Sequence, residues 1–188
     1  TAPWRVGVSR DANRLEARLN GETVAAGELL RTTAVLCFEP GSHALISGPS
    51  EERRRFLDWG VFRVEHDFLV AWRRYQRALK QRNAWLRSTR SDAGLDVWDH
   101  ELVSAADGLT RMRNDYFQAW QPIAADLLRD LLGELGEPRL HFHPGFDASQ
   151  SLATVLAAQR SRDLARGHTG AGPHRADWSV MFADTTRR

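Results

Sequence analysis

Residues 66 to 90 carry an apolar repeat that constrains the fold of this chain more than any other feature. Large side chains recur at alternating steps of four and three residues: Phe68, Trp72, Tyr75, Leu79 and Leu86. Arg82 fills the one remaining slot of the repeat. This is the heptad spacing of a helix that packs along a second helix. The segment therefore predicts one half of a helix pair.

The partner helix is predicted to start near Asp99. Its apolar residues recur every seven positions: Leu102, Leu109, Tyr116 and Ile123. The polar stretch 88–97 contains Gly94 and reads as a loop, so the two helices should form an antiparallel hairpin. Pro122 lies inside the second helix and lacks a backbone donor, which predicts a kink or a break there.

Alternating residues predict strands at the start of the chain, and Asn20-Gly21 is a strong tight-turn signal. The alternating sets are Trp4, Val6 and Val8, then Leu15, Ala17 and Leu19. A short helix over 27–31 and a buried strand over 33–38 follow. Ser50, with two acids after it, is a candidate N-cap for the next helix.

The end of the chain predicts strand, helix and strand. Leu140 and Phe142 indicate a short strand, which is closed by the turn His143-Pro-Gly145. A helix should begin after Ser149 or Ser151 and run through Arg166, with Gly167 as its C-terminal cap. The last strand contains Trp178, Val180 and Phe182. The expected fold class is therefore α+β, with an antiparallel helical arm and small sets of strands at both ends.

Composition excludes several classes of protein. Cys37 is the single cysteine, which rules out an intrachain disulfide framework. No apolar run approaches the roughly 20 residues that span a bilayer, so we expect no membrane association and a cytoplasmic location. The chain starts Thr-Ala-Pro-Trp, without a methionine or a leader, and we interpret it as an internal piece of a longer protein.

Charge is distributed unevenly along the chain. Residues 51–90 carry eleven basic and five acidic side chains, whereas residues 91–140 carry four basic and ten acidic ones. Such a basic segment is typical of phosphate contact in nucleic-acid binding. The alternative is that the basic helix pairs with the acidic helix that follows it, through solvated ion pairs. The sequence leaves both interpretations open.

Two sequence motifs stand out on either side of the predicted hairpin. The first is Gly48-Pro-Ser-Glu-Glu-Arg-Arg-Arg-Phe-Leu-Asp58, preceded by Pro40, Leu45 and Ile46. The second is Gly172-Pro-His-Arg-Ala-Asp177. Both resemble signatures of the RecF family of DNA repair proteins, although Gly41 and Ala176 stand where that family usually has acids. Further similar residues lie between the two motifs, in the same order: Leu79-Lys-Gln-Arg-Asn83 with Leu86, Trp98-Asp99, Glu101-Leu102, Arg113 and Tyr116.

The resemblance implies a part of an ATPase head of the SMC type with its helical arm, called lobe II. On that pattern, residues 1–47 form a β-rich edge of the head, 48–137 form the arm, and 138–188 return toward the head. Full-length RecF proteins bind ATP and Mg²⁺, dimerise around ATP and are weak DNA-dependent ATPases. They bind gapped, single-stranded and duplex DNA, and with RecO and RecR they support recombinase loading, replication-fork recovery and SOS induction.

No GxxxxGK[ST] phosphate loop occurs in the 188 residues, so we expect this chain to hold no cofactor and to be no enzyme by itself. Its histidines include His141, His143, His168 and His174, but no HExxH and no paired cysteines accompany them. No metal site is predicted. The competing hypothesis to a DNA-binding arm is a helical protein-interaction module without nucleic-acid binding of its own.

Eight basic side chains are candidate DNA contacts along the predicted helical surface: Arg53, Arg54, Arg55, Arg73, Arg74, Arg77, Lys80 and Arg82. Arg53 and Arg54 have a second plausible role, which is to hold Asp58 or the carbonyl groups of the preceding turn.

The second motif supplies the candidates for sensing nucleotide or a partner subunit, and this role is implied by the resemblance alone. They are His174, Arg175 and Asp177. The alternative is a structural turn, in which Asp177 pairs with Arg175 and His174 caps the end of a helix or strand.

Overall fold

The protein is described by a computed structural model that covers residues 3–12, 14–33, 40–89 and 92–183. It divides into two compact units, Thr1–Ser42 and His43–Arg188. The fold is α+β, as the sequence predicts, with small antiparallel sheets in the N-terminal and C-terminal parts and a long helical hairpin between them.

The first unit is a three-stranded meander followed by a short helix. Its elements are β1 (Val6–Asp11), β2 (Arg14–Leu19), β3 (Glu22–Val24) and α1 (Ala26–Thr32). Asn20 and Gly21 both have positive φ angles, 53° and 92°, as a tight hairpin turn between β2 and β3 requires. Ala17 and Leu29 are buried where α1 packs on β2. Residues 34–39, on which most of the predicted buried strand falls, lie outside the described residues.

Four helices begin the second unit. They are α2 (Ala44–Ser47), α3 (Ser50–Val64), α4 (Phe68–Ser88) and α5 (Leu95–Leu132). Helix α5 begins four residues before the predicted start, directly after Gly94, whose φ of 83° suits the turn into a helix. The rings of Trp85 and Trp98 meet near this turn, 6.2 Å apart, so α4 and α5 form the predicted antiparallel hairpin.

The apolar repeat predicts a seam, which is the row of side chains by which α4 and α5 pack together. The prediction is correct for α4, but on α5 the repeat gradually leaves the buried face. Phe68, Tyr75 and Leu86 are buried, as is Arg82 in the remaining slot. On α5 Leu102 and Leu109 are buried, Tyr116 is half-buried and Ile123 is 69% exposed. An α-helix drifts about 20° per heptad against a strict seven-residue repeat. Over three heptads this rotates Ile123 out of the seam, and Phe117 and Ala124 take the buried positions.

Pro122 does not break α5, which is continuous from Leu95 to Leu132. Proline removes the hydrogen bond to the carbonyl four residues earlier, which is that of Gln118. Both Gln118 and Pro122 are exposed, so water can satisfy this carbonyl. None of the helices in the described part of the chain is long and apolar enough to cross a membrane.

Two strands and a helix complete the second unit. Strand β4 (Glu137–His143) pairs antiparallel with β5 (Asp177–Ala183), and α6 (Leu152–Arg166) lies between them in sequence. Ser151 caps α6 by accepting a hydrogen bond from the Thr154 amide at 3.1 Å, and Gly167 ends it with a φ of 69°. Of the two predicted cap candidates, Ser151 is therefore the cap. Short 3₁₀ turns occur at Pro40–His43, Gly133–Leu135 and Pro173–Arg175.

Aromatic packing fixes the sheet on the helices. The rings of Phe56, Trp120 and Trp178 form a cluster with centroids 5.2 to 5.8 Å apart, which joins α3, α5 and β5. Gly145 has a φ of 93°, and a Cβ added there would lie 2.0 Å from the carbonyl oxygen of Gly172. This glycine lets the loop after β4 pack directly against the second sequence motif.

Candidate functional site

Arg53 ties the first motif to the second. Its Nε and Nη2 donate to the two carboxylate oxygens of Asp177 at 2.7 and 3.0 Å, and its Nη1 donates to the carbonyl of Gly48 at 3.0 Å. Burial raises the pKa of Asp177, but the hydrogen bonds from Arg53 and from the Trp178 amide outweigh it and the net shift is downward. Arg53 therefore organises the preceding turn, as one of the two sequence interpretations proposed.

Arg54 is half-buried and holds no carboxylate among the described residues. Its Nη1 donates to the Ser50 hydroxyl and to the carbonyl of Ala176, both at 2.8 Å. Burial lowers the pKa of Arg54, and the positive charge of Arg113 adds to the effect. Ser50 is the first residue of α3 rather than its predicted cap, and the cap position is held by Pro49 without a side-chain hydrogen bond.

Arg55 makes no hydrogen bond to the second motif among the described residues. It is exposed and pairs along its own helix with Glu51 and Glu52, at 2.6 and 3.2 Å. Exposed pairs of this kind contribute about 0.3–0.5 kcal/mol. The three consecutive arginines thus have three different surroundings.

Asp58 is held by Arg113, and not by Arg53 or Arg54. The Arg113 guanidinium donates to both carboxylate oxygens at 2.7 and 2.8 Å, and its Nη1 also donates to the carbonyl of Pro173 at 2.7 Å. Arg113 is buried on α5, so this contact joins α3, α5 and the Pro173–Arg175 turn.

His174 is a half-buried link rather than a cap. Its Nε2 lies 3.0 Å from the carbonyl of Thr169, which can only accept, so Nε2 carries the proton and Nδ1 accepts from the Tyr75 hydroxyl at 2.7 Å. Burial lowers the pKa of His174 to about 4, and Arg175 and Arg54 add to the shift. Burial also raises the pKa of Tyr75. Both groups are therefore neutral at physiological pH.

Arg82 lies in the core, fully buried, and cannot contact a DNA phosphate in this structure. Its Nε donates to Asp99 and its Nη1 to Asp163, both at 2.7 Å, and Nη1 also donates to the Thr169 hydroxyl. Thr169 in turn donates to Asn83 through its amide and its hydroxyl. This cluster joins α4, α5, α6 and the loop before the second motif.

Arg160 closes the outer side of the same cluster. It donates to Asp99 at 2.9 Å and pairs with Asp96 and Asp92 at the start of α5. Hydrogen bonding by Asp96 and Asp99 raises the pKa of Arg160, against the effect of burial. Arg160 of α6 thus neutralises three acids that follow the basic helix in sequence, Asp92, Asp96 and Asp99. Of these three, Asp99 also pairs with Arg82 of α4.

Three of the predicted DNA contacts on α4 have no ion-pair partner among the described residues. Arg73, Arg77 and Lys80 are exposed on the helix face opposite the seam, and no carboxylate in the described ranges pairs with them. Their neighbour Arg74 pairs with Glu101 at 3.2 Å and donates to Ser104. The predicted pairing of the basic helix with the acidic helix therefore accounts for Arg74 and Arg82 only.

The ion pair predicted for the second motif as a structural turn, Asp177 with Arg175, is wrong. Asp177 pairs with Arg53, while Arg175 is exposed and has no partner in the part of the chain that the structure describes. No group of three or more His, Cys, Asp or Glu side chains within the described residues is arranged to hold a metal ion.

Comparison with known proteins identifies the relatives of this chain. It is 48% identical over 180 residues to the DNA replication and repair protein RecF of Stenotrophomonas maltophilia, covering 95% of this chain and 50% of the relative. RecF of Xanthomonas euvesicatoria is 47% identical over the same length, and that of Pseudomonas syringae is 42% identical over 175 residues, or 92% of this chain and 47% of the relative. The chain belongs to the RecF family.

This chain spans about half the length of the curated RecF relatives it matches. No family model matches it. A solved structure described as the recombination mediator protein RecF-ATP in the RecFOR pathway superimposes with a TM-score of 0.80, over 94% of this chain and 51% of the other. A second, with RecF-ATPrS, has a TM-score of 0.77 over the same shares. Both are 19% identical, so this likeness concerns the fold.

Sequence reasoning missed the long-range partners of the arginines. Arg113 pairs with Asp58, Arg82 with Asp163 and Arg53 with Asp177. The two members of each pair lie 55 to 124 residues apart in the sequence. One signal was available for Arg82, because it occupies a core slot of the heptad repeat and a charge there must be buried with a partner.

Proposed function

We propose that this chain is the DNA-contacting arm of a RecF-type replication and repair protein. The full-length protein would bind gapped, single-stranded and duplex DNA in an ATP-dependent way. It would support recombinase loading, recovery of stalled forks and SOS induction. The family membership and the names of the curated relatives support the cellular role.

The observation that carries the proposal is the unpaired basic face of α4, formed by Arg73, Arg77 and Lys80. Seven residues of helix rise about 10 Å, which matches roughly three phosphates of one DNA strand at 3.4 Å each. Cations that already hold a carboxylate release fewer counterions on contact with DNA. Of the eight candidate DNA contacts, we therefore retain these three.

Salt dependence is the direct test of this face. Binding of a short duplex should weaken steeply between 50 and 200 mM salt, because each neutralised phosphate releases condensed counterions. Replacing Arg73, Arg77 and Lys80 together with Gln should weaken binding at low salt by at least about tenfold. It should also reduce the slope of log K against log salt by about 2 to 3.

A matched control removes the same amount of charge from paired arginines. Arg18, Arg55 and Arg129 are exposed and each holds a glutamate. Their triple replacement with Gln should leave the salt slope near that of the unmodified chain. Equal losses in the two triple variants would contradict a specific role for α4.

ATP, Mg²⁺ and assembly belong to the whole protein in this proposal. A full-length protein would form an ATP-dependent homodimer and work with RecO and RecR. Residues 1–188 contain no phosphate loop, so this chain should show no Mg²⁺-dependent ATP hydrolysis, and measurable turnover would contradict that expectation. Arg175, exposed beside the half-buried His174, is the candidate sensor. In the full-length protein Arg175→Ala should change ATP turnover or DNA affinity.

A second function, docking of another protein, is favoured by a different observation. Ile123, Leu127 and Leu131 are 58 to 69% exposed and lie one turn apart along one side of α5. An apolar stripe of this kind is typical of a protein interface. If the chain showed little duplex binding at either salt concentration, this docking function would replace the first proposal.

A further inference from the structure

A pocket of about 210 Å³ lies between α3, α4, α5 and the Pro173–Arg175 turn. Its lining consists of Arg54, Arg113, Trp72, Gln76 and His174, together with Arg55 and the two acids Glu51 and Asp58. Sites for drug-sized ligands occupy roughly 300–1,000 Å³, so this pocket suits a smaller group. The unpaired basic residues Arg73, Arg77 and Lys80 of α4 are not part of the pocket lining.

The acids around the pocket are already neutralised. Asp58 accepts both arms of Arg113, and Glu51 pairs with Arg55. Arg54 has no carboxylate of its own among the described residues, and neither has the nearby Arg175. The pocket therefore has positive charge left over on the side of Arg54.

Arg54 also has unused donors. Its contacts to Ser50 and Ala176 both come from Nη1, which leaves the hydrogens of Nε and Nη2 without an acceptor in the described chain. A guanidinium edge of this kind matches two oxygens of a phosphate group. Gln76 is half-buried on the facing helix, and its amide likewise has no partner among the described residues.

We propose that this pocket binds a phosphoryl oxyanion, with Arg54 donating from its free edge and Gln76 donating its amide N–H. The ion pair between Asp58 and Arg113 fixes one wall, and the hydrogen bond between His174 and Tyr75 fixes another. The phosphoryl group comes either from a free phosphate anion or from the terminal phosphate of a nucleic-acid strand. The site is separate from the Arg73, Arg77 and Lys80 face, and it does not require that face to bind DNA.

The test titrates the chain with pyrophosphate and follows the ¹H–¹⁵N signals of the Trp72 indole and the Gln76 amide. Saturable shifts confined to the pocket are expected. The variant Gln76→Glu puts a carboxylate beside Arg54 without changing the side-chain size. It should weaken binding at least about tenfold, because the carboxylate repels the anion and replaces a hydrogen-bond donor. Arg54→Gln should do the same, although it also removes contacts to Ser50 and Ala176.

Arg77→Gln is the matched control, because it changes the net charge by the same amount at the next position of α4. It should leave the pyrophosphate affinity within about twofold. Three outcomes would contradict phosphoryl binding in the pocket. They are equal effects of Gln76→Glu and Arg77→Gln, signal shifts that spread along Arg73, Arg77 and Lys80, and no signal shift at all. If the salt dependence showed no role for Arg73, Arg77 and Lys80 in DNA binding, the conclusion on the pocket would not change.

Oligonucleotides with and without a 5′-phosphate distinguish the two sources. If the phosphorylated strand binds more tightly and Gln76→Glu abolishes the difference, the pocket receives a strand terminus. If both strands bind alike while pyrophosphate still shifts the pocket signals, the ligand is a free phosphate anion. Either result supports phosphoryl binding in the pocket. If pyrophosphate causes no signal shifts in the unmodified chain, the proposal is contradicted.

Discussion

Helix α4 carries two sets of basic side chains with opposite surroundings. On the side facing the hairpin partner, Arg82 is fully buried and hydrogen-bonded to Asp99, Asp163 and Thr169. On the opposite side, Arg73, Arg77 and Lys80 are exposed and hold no carboxylate among the described residues. Only the second set can exchange water for a phosphate without disrupting the fold.

The difference shows that residue type alone does not assign a role to an arginine. Burying a charge costs several kcal/mol, and the cost is offset only when the partners are close and well oriented. The Arg82 cluster meets this condition through side chains from α5, α6 and the following loop. Its arginine fixes the relative placement of three helices, whereas the exposed arginines bear no such constraint.

The largest effect expected from this comparison follows removal of the buried charge. Arg82→Met should lower the free energy of unfolding by about 3–5 kcal/mol, because it leaves Asp163, itself fully buried, without its cation. Urea denaturation followed by tryptophan fluorescence measures it. Arg77→Met, on the exposed face of the same helix, should change stability by less than about 0.5 kcal/mol. Similar losses in both variants would remove the distinction between the two faces.

A smaller effect is expected from the link between the buried cluster and the second motif. His174 has a pKa of about 4 in the folded chain, below the usual value near 6.5, because burial disfavours its charged form. The unfolded chain therefore binds a proton that the folded chain excludes between these two pH values. The stability that His174 contributes is complete above pH 6.5 and is lost as pH falls toward 4.

This loss should amount to about 2 kcal/mol between pH 7.5 and pH 5. The control is His174→Asn, in which the residue does not titrate. Urea unfolding measures the free energy of unfolding at the two pH values. Its decrease from pH 7.5 to pH 5 should be about 2 kcal/mol smaller in the variant than in the unmodified chain. The same drop in both proteins would mean that other groups cause the acid sensitivity.

How far the sequence predicts this molecule depends on the range of the interaction. The heptad repeat from Phe68 to Leu86 predicts the hairpin. Gly167 predicts the end of α6, and the serines at 149 and 151 predict its start to within two residues, because these signals act locally. The burial of Ile123 was predicted wrongly, since a strict seven-residue repeat ignores the drift of a straight helix.

The candidate site was harder to predict because its contacts are long-range. The sequence indicates that Arg53 or Arg54 holds a nearby group, but only the fold shows that Arg53 reaches Asp177 and that Arg113 takes Asp58. Charge counts in 51–90 and 91–140 suggest extensive pairing between the two helices. In the structure α6 supplies Arg160 to the acids of α5, which leaves part of α4 free.

A third prediction tests an exposed ion pair between α4 and α5. Arg74 and Glu101 are both about half exposed and lie 3.2 Å apart. A double-mutant cycle with Ala at both positions should give a coupling of about 0.2–1 kcal/mol that falls further at 0.5 M salt. A coupling above about 2 kcal/mol would show that pairing between α4 and α5 contributes more than the exposed geometry indicates.

The smallest effect concerns Lys80, the one lysine among 26 basic residues. Its ammonium is a compact point charge, and counterion release depends on charge rather than on the fork geometry of arginine. Lys80→Arg should therefore leave the salt slope of duplex binding unchanged, whereas Lys80→Gln should reduce it by about 0.9. Both variants should unfold at the same urea concentration as the unmodified chain, because Lys80 is exposed and unpaired within the described residues. A change of slope in Lys80→Arg would indicate a geometric contact at this position, and no change in Lys80→Gln would place the DNA strand beyond its reach.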